Sequence, residues 1–499
     1  MSDENAPAPS PQAPVGGLKN FLTLFPSIML PMFLATVDST IVAAALPAIA
    51  GDLGDPEQIS WVVIAYLIAA TVASPVYGRL GDIFGRKRLM AAALVLVMSA
   101  SILCGLAANA TWLVAARVLQ GLGGGGLMTL SQALVGETVP PRDRARYQGF
   151  LSTVAIFSLG FGAVAGGVLT EHLGWRAIFF VTVPLGVVAL FLLRALNARR
   201  PDPQPFRFDV TGLILFMIFI VSAMIMFREI QTFTLAIVLP SLALATISAV
   251  ALALLIWRER RTRHPLFPIA VFRNPTIWRS DALAFFQGGA LVALLTFLPI
   301  YLRVGLDATS SEIGWLLLPL TVLVPVGSIM TGQSVSFTGR TAIFPTLGLS
   351  CAAVLLVGTA VWLPSMSGPQ LSLLLGAVGI CMGTVMGVVQ LTVQVAAGRE
   401  MLGTAAGSVQ FSRTVGAALG TAVVSTVLFA TMAAVDPAAT DVLATILQEG
   451  PEVLTTLPAE RAEVIQQEIV GAFRGAFLTM AVFSAGGAVL AGSLPLRRI

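Results

Sequence analysis

The segment Gly78-Arg79-Leu80-Gly81-Asp82-Ile83-Phe84-Gly85-Arg86-Lys87-Arg88 separates two long apolar runs, at about 58–79 and 88–107. Each run is long enough to cross hydrocarbon as a helix, which takes about 20 apolar residues. The segment between them has room only for a tight turn. Its glycines let backbones approach closely. Asp82 is placed to meet the positive end of a helix or an arginine, and either contact would latch this face of the molecule. A basic loop that merely sets topology explains the arginines but not Asp82 or the glycine spacing.

The pattern returns further along. Gly78 and Gly85-Arg86 are matched by Gly332 and Gly339-Arg340. Ser158, Gly162-Ala163 and Gly166 are matched by Ser412, Gly416-Ala417 and Gly420. Both sets of glycines recur 254 residues on. Two unrelated motifs at one offset imply two homologous halves rather than coincidence in a glycine-rich chain. Parallel repeats with a site at their interface are the architecture of rocking transporters.

Composition agrees. Of 499 residues, 56% are hydrophobic and 11% charged, against about 25% charged in soluble domains. Fourteen spans are expected, at about 20–49, 58–79, 88–107, 111–135, 147–170, 175–196, 209–228, 233–257, 279–302, 311–334, 341–363, 369–397, 402–432 and 471–494. The fold class is an all-α polytopic membrane protein: two six-helix bundles plus two extra central transmembrane helices. The expected division is a disordered cytoplasmic tail (1–18), a first bundle (19–198), a two-helix insertion with cytoplasmic linkers (199–277) and a second bundle (278–499). That second bundle carries a long outer loop at 433–470. Within the loop, Leu457 to Phe473 reads as an amphipathic helix or hairpin, either a partner-docking surface or an inert connector.

Arginine bias sets the orientation. With the N-terminus inside, the cytoplasmic loops hold Arg79, Arg86, Lys87, Arg88, Arg142, Arg144, Arg146, Arg199, Arg200, Arg207, Arg258, Arg260, Arg261, Arg263, Arg273, Arg340, Arg399, Arg497 and Arg498. The opposite loops offer Arg176, Arg228, Arg303, Arg461 and Arg474. Both termini are therefore expected in the cytoplasm. The net charge of +4 gives no support to a nucleic-acid partner.

Charges inside the spans carry the functional reading. Asp38 and Arg117 lie within apolar runs, and Arg413 within a third. An ionised side chain at mid-bilayer costs roughly 2.5–3.5 kcal/mol on insertion scales, so it needs a partner or a wet cavity. Asp38 and Arg117 are expected to pair. Burial favours the neutral acid and a nearby guanidinium the ionised one. A carboxylate whose partner comes and goes can therefore take up and release a proton; the plainer alternative is a static ion pair. Arg413 reads as structural glue for the second bundle or as a coupling residue. Asp281, near the cytoplasmic start of span nine, is a second candidate carboxylate or, on the plainer reading, an interfacial residue near Arg279, and Glu137 and Glu229 read as span-end residues. Candidates for lining a substrate cavity are Tyr66, Phe157, Phe285, Phe286, Gln287, Gln390 and Gln394. Greasy, variable ligands suit such aromatic surfaces with few polar anchors.

The loop at 78–88 resembles the signature G-x-L-x-D-x-x-G-R-[RK] of the major facilitator superfamily, which implies the major facilitator fold. By that resemblance Gly78, Asp82, Gly85 and Arg86 form a conformational latch. Span one, with Asp38-Ser-Thr40-Ile41-Val42-Ala-Ala-Ala-Leu46-Pro47, is similar to the D-x-T-I-V-x-x-A-L-P motif of 14-span drug/proton antiporters of the EmrB/QacA type. Trp61, Gly174-Trp175-Arg176 and Gly403 to Gly407 leading to Arg413 fit that subgroup. Span five, Ser158-Leu-Gly-Phe-Gly162-Ala163-Val-Ala-Gly166-Gly167, resembles the antiporter motif G-x-x-x-G-P-x-x-G-G. Ser158 stands for its first Gly and Ala163 for its Pro, so the Pro kink is missing, while Gly162, Gly166 and Gly167 keep a packing face.

The resemblance implies proton-driven export of lipophilic, cationic compounds across a bacterial inner membrane. The proton-motive force then stands in for any cofactor, and a periplasmic adaptor is an open question. The alternatives are a dedicated exporter of one lipid-like or secondary metabolite and a non-transporting sensor. An ATP-driven pump lacks its Gly-Lys-[Ser/Thr] loop, since Lys19 precedes Asn20 and Lys87 precedes Arg88. An enzyme is not expected: His172 and His264 are the only histidines, both in or near loops, and Cys104, Cys351 and Cys381 have no metal-ligand spacing.

Overall fold

The computed structural model describes residues 18–54, 56–196, 208–231, 238–262, 265–266, 269–436, 439–440, 442, 445 and 458–498. The expected N-terminal tail up to residue 17, Arg199, Arg200, Arg207, Arg263, His264 and Leu457 lie outside the described residues. Fourteen helices among the described residues are long and apolar enough to cross a membrane. They are α1 (Leu18–Leu53), α2 (Pro56–Phe84), α3 (Arg86–Gly105), α4 (Ala110–Thr138), α5 (Pro141–Leu173), α6 (Thr182–Arg194), α7 (Val210–Gln231) and α8 (Val238–Glu259). The rest are α9 (Pro275–Gly305), α10 (Ser310–Thr338), α11 (Ile343–Trp362), α12 (Gly368–Ala397), α13 (Leu402–Val435) and α14 (Ala459–Gly492). A helical turn, Ala177–Phe180, leads into α6, and the sixth span is the two together, Ala177–Arg194.

The 254-residue offset becomes a repeat of contacts. In the first bundle α5 packs along α1, and α2 and α3 pack along α4; in the second, α13 packs along α9, and α10 and α11 along α12. Gly85 and Gly339, one repeat apart, both adopt positive φ, 95° and 68°. A side chain is strained there, so glycine ends the preceding helix in both halves.

Two seams join the bundles, α2 against α13 and α5 against α10. Their repeat-related glycines sit in equivalent places. A methyl group on Gly78 would run into the Gly403 carbonyl of α13, and one on Gly332 into the Ala145 carbonyl of α5. The inserted pair α7 and α8 packs together, and α7 lies over the first seam. Val72 of α2, Phe216 and Ile220 of α7 and Leu255 of α8 share one buried cluster, with Phe411 of α13 against it. Trp61 takes Arg228 of α7 over its ring, at 4.9 Å from the centroid.

Of the expected outer loop 433–470, residues 437–438, 441, 443–444 and 446–457 lie outside the described residues, and the start of the last span is earlier than expected. α13 runs on to Val435 and α14 begins at Ala459, twelve residues before the expected span. The glutamate- and glutamine-rich stretch is thus the N-terminal part of α14. Ile465, Ile469, Ala472, Phe473 and Ala476 recur at helical spacing, in phase with the span, and are buried in the core of the second bundle. Gln466 donates to the Val304 carbonyl at 2.7 Å.

Candidate functional site

The first bundle closes around a buried charge. Asp38, midway along α1, is 2% exposed, and Arg117 of α4 is fully buried. Arg117 Nη1 donates to Asp38 Oδ2 at 2.5 Å, and Arg117 Nε donates to the Val62 carbonyl of α2 at 3.1 Å. Gln120, one turn further along α4, donates to Asp38 Oδ1 at 2.7 Å and accepts from Arg117 Nη1 at 2.7 Å. Its amide also donates to Ser101 Oγ of α3 at 2.8 Å. Tyr66 lies beneath the guanidinium, 4.2 Å from ring centroid to Cζ, and its hydroxyl donates to the Ala35 carbonyl. Four helices therefore hold one carboxylate. Close approach of α4 to α2 makes this geometry accessible: a methyl group on Gly121 or Gly125 would strike the Tyr66 or Ala70 carbonyl. Arg117 Nη2 is buried without a partner. The pair is charge-balanced but not saturated with hydrogen bonds. Gln120 and Ser101 carried no role in the sequence reading; a polar residue three positions from a buried arginine on the same helix face was the available signal.

The second assembly sits at the arginine-rich end of the α2–α13 seam. Asp82 accepts from the Gly403 and Thr404 backbone N–H groups, 2.7 Å each, and from Thr404 Oγ1 at 2.8 Å. These are the open donors of the first turn of α13, where a carboxylate is stabilised by the helix dipole as well. Arg86 donates to Asp82 at 2.6 Å, to Glu137 of α4 at 2.5 Å and to the Arg399 carbonyl at 3.3 Å. Glu137, read from sequence as a span-end residue, is thus part of this assembly, because the end of α4 packs beside the turn. The repeat-related position in the other half is Ser336, whose hydroxyl donates to Asp143 at the start of α5.

The remaining sequence candidates separate. Gly162 and Gly166 pack on α1, against Thr40 and the Ile41 carbonyl. Gly167 does not: nothing lies within 4 Å of where its side chain would be, since it points off the packed face. Despite lacking the Pro, α5 is one continuous helix of 33 residues. Of the substrate-lining candidates, Tyr66 belongs to the Asp38 cluster. Gln394 crosses between bundles and donates to the Gln132 carbonyl of α4 at 2.9 Å. Gln148 donates to the same carbonyl, so a glutamine group joins α4, α5 and α12 toward the arginine-rich end of the molecule. Gln287 and Gln390 are buried, with their amide atoms unpartnered. Phe285 and Phe286 pack in the second bundle, Phe286 edge-on to Phe483. Phe157 is 61% exposed and stacks on Phe161. Arg413 lies on α13 against Gly288 of α9, its Nε and Nη2 unpartnered, so the expected glue is not made through those atoms.

Asp281 is also corrected. It is not interfacial beside Arg279, which donates to the Ser493 carbonyl instead. It is 5% exposed, on the face of α9 that packs on α13, and accepts from Ser408 at 3.2 Å. A polar residue six positions into a span reads from sequence as interfacial; helix packing takes it inside.

Among the described residues no group of histidine, cysteine and acidic side chains could hold a metal ion. Comparison with known proteins gives the same picture as the geometry. The chain is 35% identical over 404 residues to the uncharacterized MFS-type transporter Rv1877 of Mycobacterium tuberculosis, an alignment covering 80% of this chain. The chain spans 58% of that relative's length. It is 29% identical to the multidrug transporter protein MdtP of Bacillus subtilis, over 81% of this chain and 75% of MdtP. The structure of the human organic anion transporter MFSD10 superposes with a TM-score of 0.62 at 13% identity, covering 93% of this chain and 99% of that one, a likeness of fold. Residues 28–421 match the Major Facilitator Superfamily profile. With fourteen spans, a repeated bundle, and a buried pair and seam latch where the signature motifs lie, the chain belongs to the Major Facilitator Superfamily.

Proposed function

We propose that the protein is a proton-coupled secondary transporter that exports lipophilic, cationic compounds in exchange for protons. It works in a bacterial cytoplasmic membrane with both termini and the Asp82 latch on the cytoplasmic side. The Asp38–Arg117 pair carries the proposal. It is an ion pair sealed inside the first bundle, and it joins α1 to α4 while Gln120 and Tyr66 hold it from α4 and α2. Protonation of Asp38 removes the attraction that ties α1 to α4 and leaves Arg117 to re-bond to carbonyls and Gln120. Loss of the proton restores the pair. The bundle thus has two packings set by one proton, which is what coupling requires. The seam contacts of Asp82, Gly403 and the glutamine group lie toward the arginine-rich end and support a state sealed from the cytoplasm, in which Asp38 loads from outside. The drug class rests on the kinship with MdtP and on the aromatic surfaces of α5 and α9.

Proteoliposomes containing the wild type or Asp38→Asn, given a pH gradient and a lipophilic cation, test it. Substrate-triggered proton release is expected from the wild type and not from the variant, while both insert and fold. Equal proton release from both would remove Asp38 from the coupling role. Proton silence with every cation would point to a narrow-substrate exporter or a sensor.

A further inference from the structure

The carboxylates held inside the helical core differ in how many donors meet them. Asp38 is met by Arg117 and Gln120. Asp82 is met by Arg86, two backbone N–H groups and a hydroxyl. Asp209, before α7, is met at Oδ1 by Arg258 and the Gly212 N–H, with Oδ2 unpartnered, and the buried Glu259 of α8 lies against the same Gly212. Asp281 has Ser408 alone: Oδ1 accepts at 3.2 Å, and Oδ2 is buried with no partner.

Even that one bond is shared. Ser408 Oγ lies 3.0 Å from the Ala405 carbonyl as well, and a hydroxyl has a single proton to give. If the proton goes to Ala405, an ionised Asp281 accepts nothing. If it goes to Asp281, the carboxylate has one neutral bond for four lone-pair sites. A protonated Asp281 resolves the count: its O–H donates to Ser408 Oγ, whose own proton goes to the Ala405 carbonyl. Every hydrogen then has an acceptor, and no uncompensated charge is buried.

Among the described residues no cation is paired with Asp281. On α9 itself Arg279 is turned to Ser493. On α13, Arg413 lies more than a turn further along, against Gly288, and Arg399 and Glu400, just before the helix, are exposed. The buried polar groups of α12 and α14, Gln390, Thr392, Gln394 and Ser484 among them, are uncharged; Arg273, in the turn before α9, is exposed.

Position gives the group its consequence. Asp281 is six residues into α9, about 9 Å from its first residue. Its partner Ser408 is four residues past Thr404, the residue that Asp82 grips, and Gly407 between them packs on Ser74 and Pro75 of α2. The first turns of α13 therefore touch the latch on one side and Asp281 on the other. Opening the α2–α13 seam frees α13 and admits water from the arginine-rich side to the Asp281 carboxyl.

We propose that Asp281 is a proton-binding site of the second bundle, occupied while the α2–α13 seam is closed and vacated to water on the arginine-rich side when it opens. Closing the seam then takes up one proton from that side, so alkalinity there opposes closure by up to tenfold per pH unit. This role is independent of Asp38 and holds whether or not the protein exchanges drug for protons.

Infrared difference spectroscopy of the purified full chain in lipid tests it, because a protonated carboxyl has its own C=O stretch. At neutral pH a carboxylic-acid band is expected that disappears in Asp281→Asn and persists in Asp38→Asn. Ser408→Ala should shift that band, since it removes the acceptor of the acid proton and keeps the carboxyl; this arm serves if Asp281→Asn does not fold. Asp82→Asn, which loosens the latch, should weaken the band at the same pH. A spectrum unchanged by both Asp281→Asn and Ser408→Ala would show that Asp281 carries no proton and overturn the proposal. A band insensitive to Asp82→Asn would overturn its link to the seam.

Discussion

At the scale of single residues, the Asp38 site is a buried charge neutralised by Arg117 and held by Gln120. Gln120 sits at its centre, because it satisfies Asp38 and Arg117 together while tied to Ser101. Replacing it with leucine leaves Asp38 Oδ1 without a donor, at a cost of about 1–3 kcal/mol. Gln120→Leu is therefore expected to lower the thermal unfolding midpoint in detergent and to weaken substrate-triggered proton release. A midpoint and proton yield equal to wild type would show that Gln120 is a spectator. Arg117→Lys is expected to lose coupling, although the charge is kept. The guanidinium reaches Val62, Asp38 and Gln120 through a planar fork that an ammonium cannot reproduce. Proteoliposome proton flux close to wild type in Arg117→Lys would show that only the charge matters.

At the scale of helices, small residues set how closely neighbours approach. The driving force between membrane helices is packing, not removal from water, so a single methyl group matters where backbones touch. Gly166 and Gly167 are adjacent in sequence and opposite in consequence. Valine at 166 meets the Ile41 carbonyl and pushes α5 off α1, an overpacking cost of about 1–3 kcal/mol. Valine at 167 meets nothing within reach and is expected to stay within about 0.5 kcal/mol of wild type. Thermal unfolding of the two variants side by side checks the assignment. Equal losses would mean that α5 presents a different face to α1. The same reasoning explains why α14 runs as one helix: its apolar stripe stays in phase with the span and finds the core of the second bundle.

At the scale of the molecule, the two bundles meet along paired seams, and the Asp82 assembly is where the first is fastened. Asp82 is bonded to the Gly403 and Thr404 amides, which lie in the first turn of α13 and have no earlier carbonyl of their own helix to bond. Asp82→Asn removes a charge-assisted set of bonds, each about 1.5–3 kcal/mol. Amide hydrogen exchange at Gly403 and Thr404 should then rise well above wild type, while exchange in the middle of α4 stays the same. Unchanged exchange at those two amides would show that the latch does not hold the seam. The inserted pair adds a second fastening, since α7 covers the same seam through Phe216 and Phe411, 5.5 Å apart.

Much of this molecule is written in one dimension. The lengths of the apolar runs determine the number of spans, because hydrocarbon thickness admits nothing shorter. Asp38 and Arg117 point to each other, because a charge in a span has few places to go. The Asp82 turn and its repeat 254 residues on imply two related halves. What the sequence could not decide is which way each helix faces. In a bilayer, lipid is as apolar as the protein core, so hydrophobic periodicity loses the directional information it carries in a soluble helix. The assignment of Gly167 to a packing face and of Gln394 to an open cavity, and the interfacial reading of Asp281, depended on facing. Only the tertiary structure, by bringing α9 against α13 and α12 against α4, could turn these residues inward, outward or toward a partner.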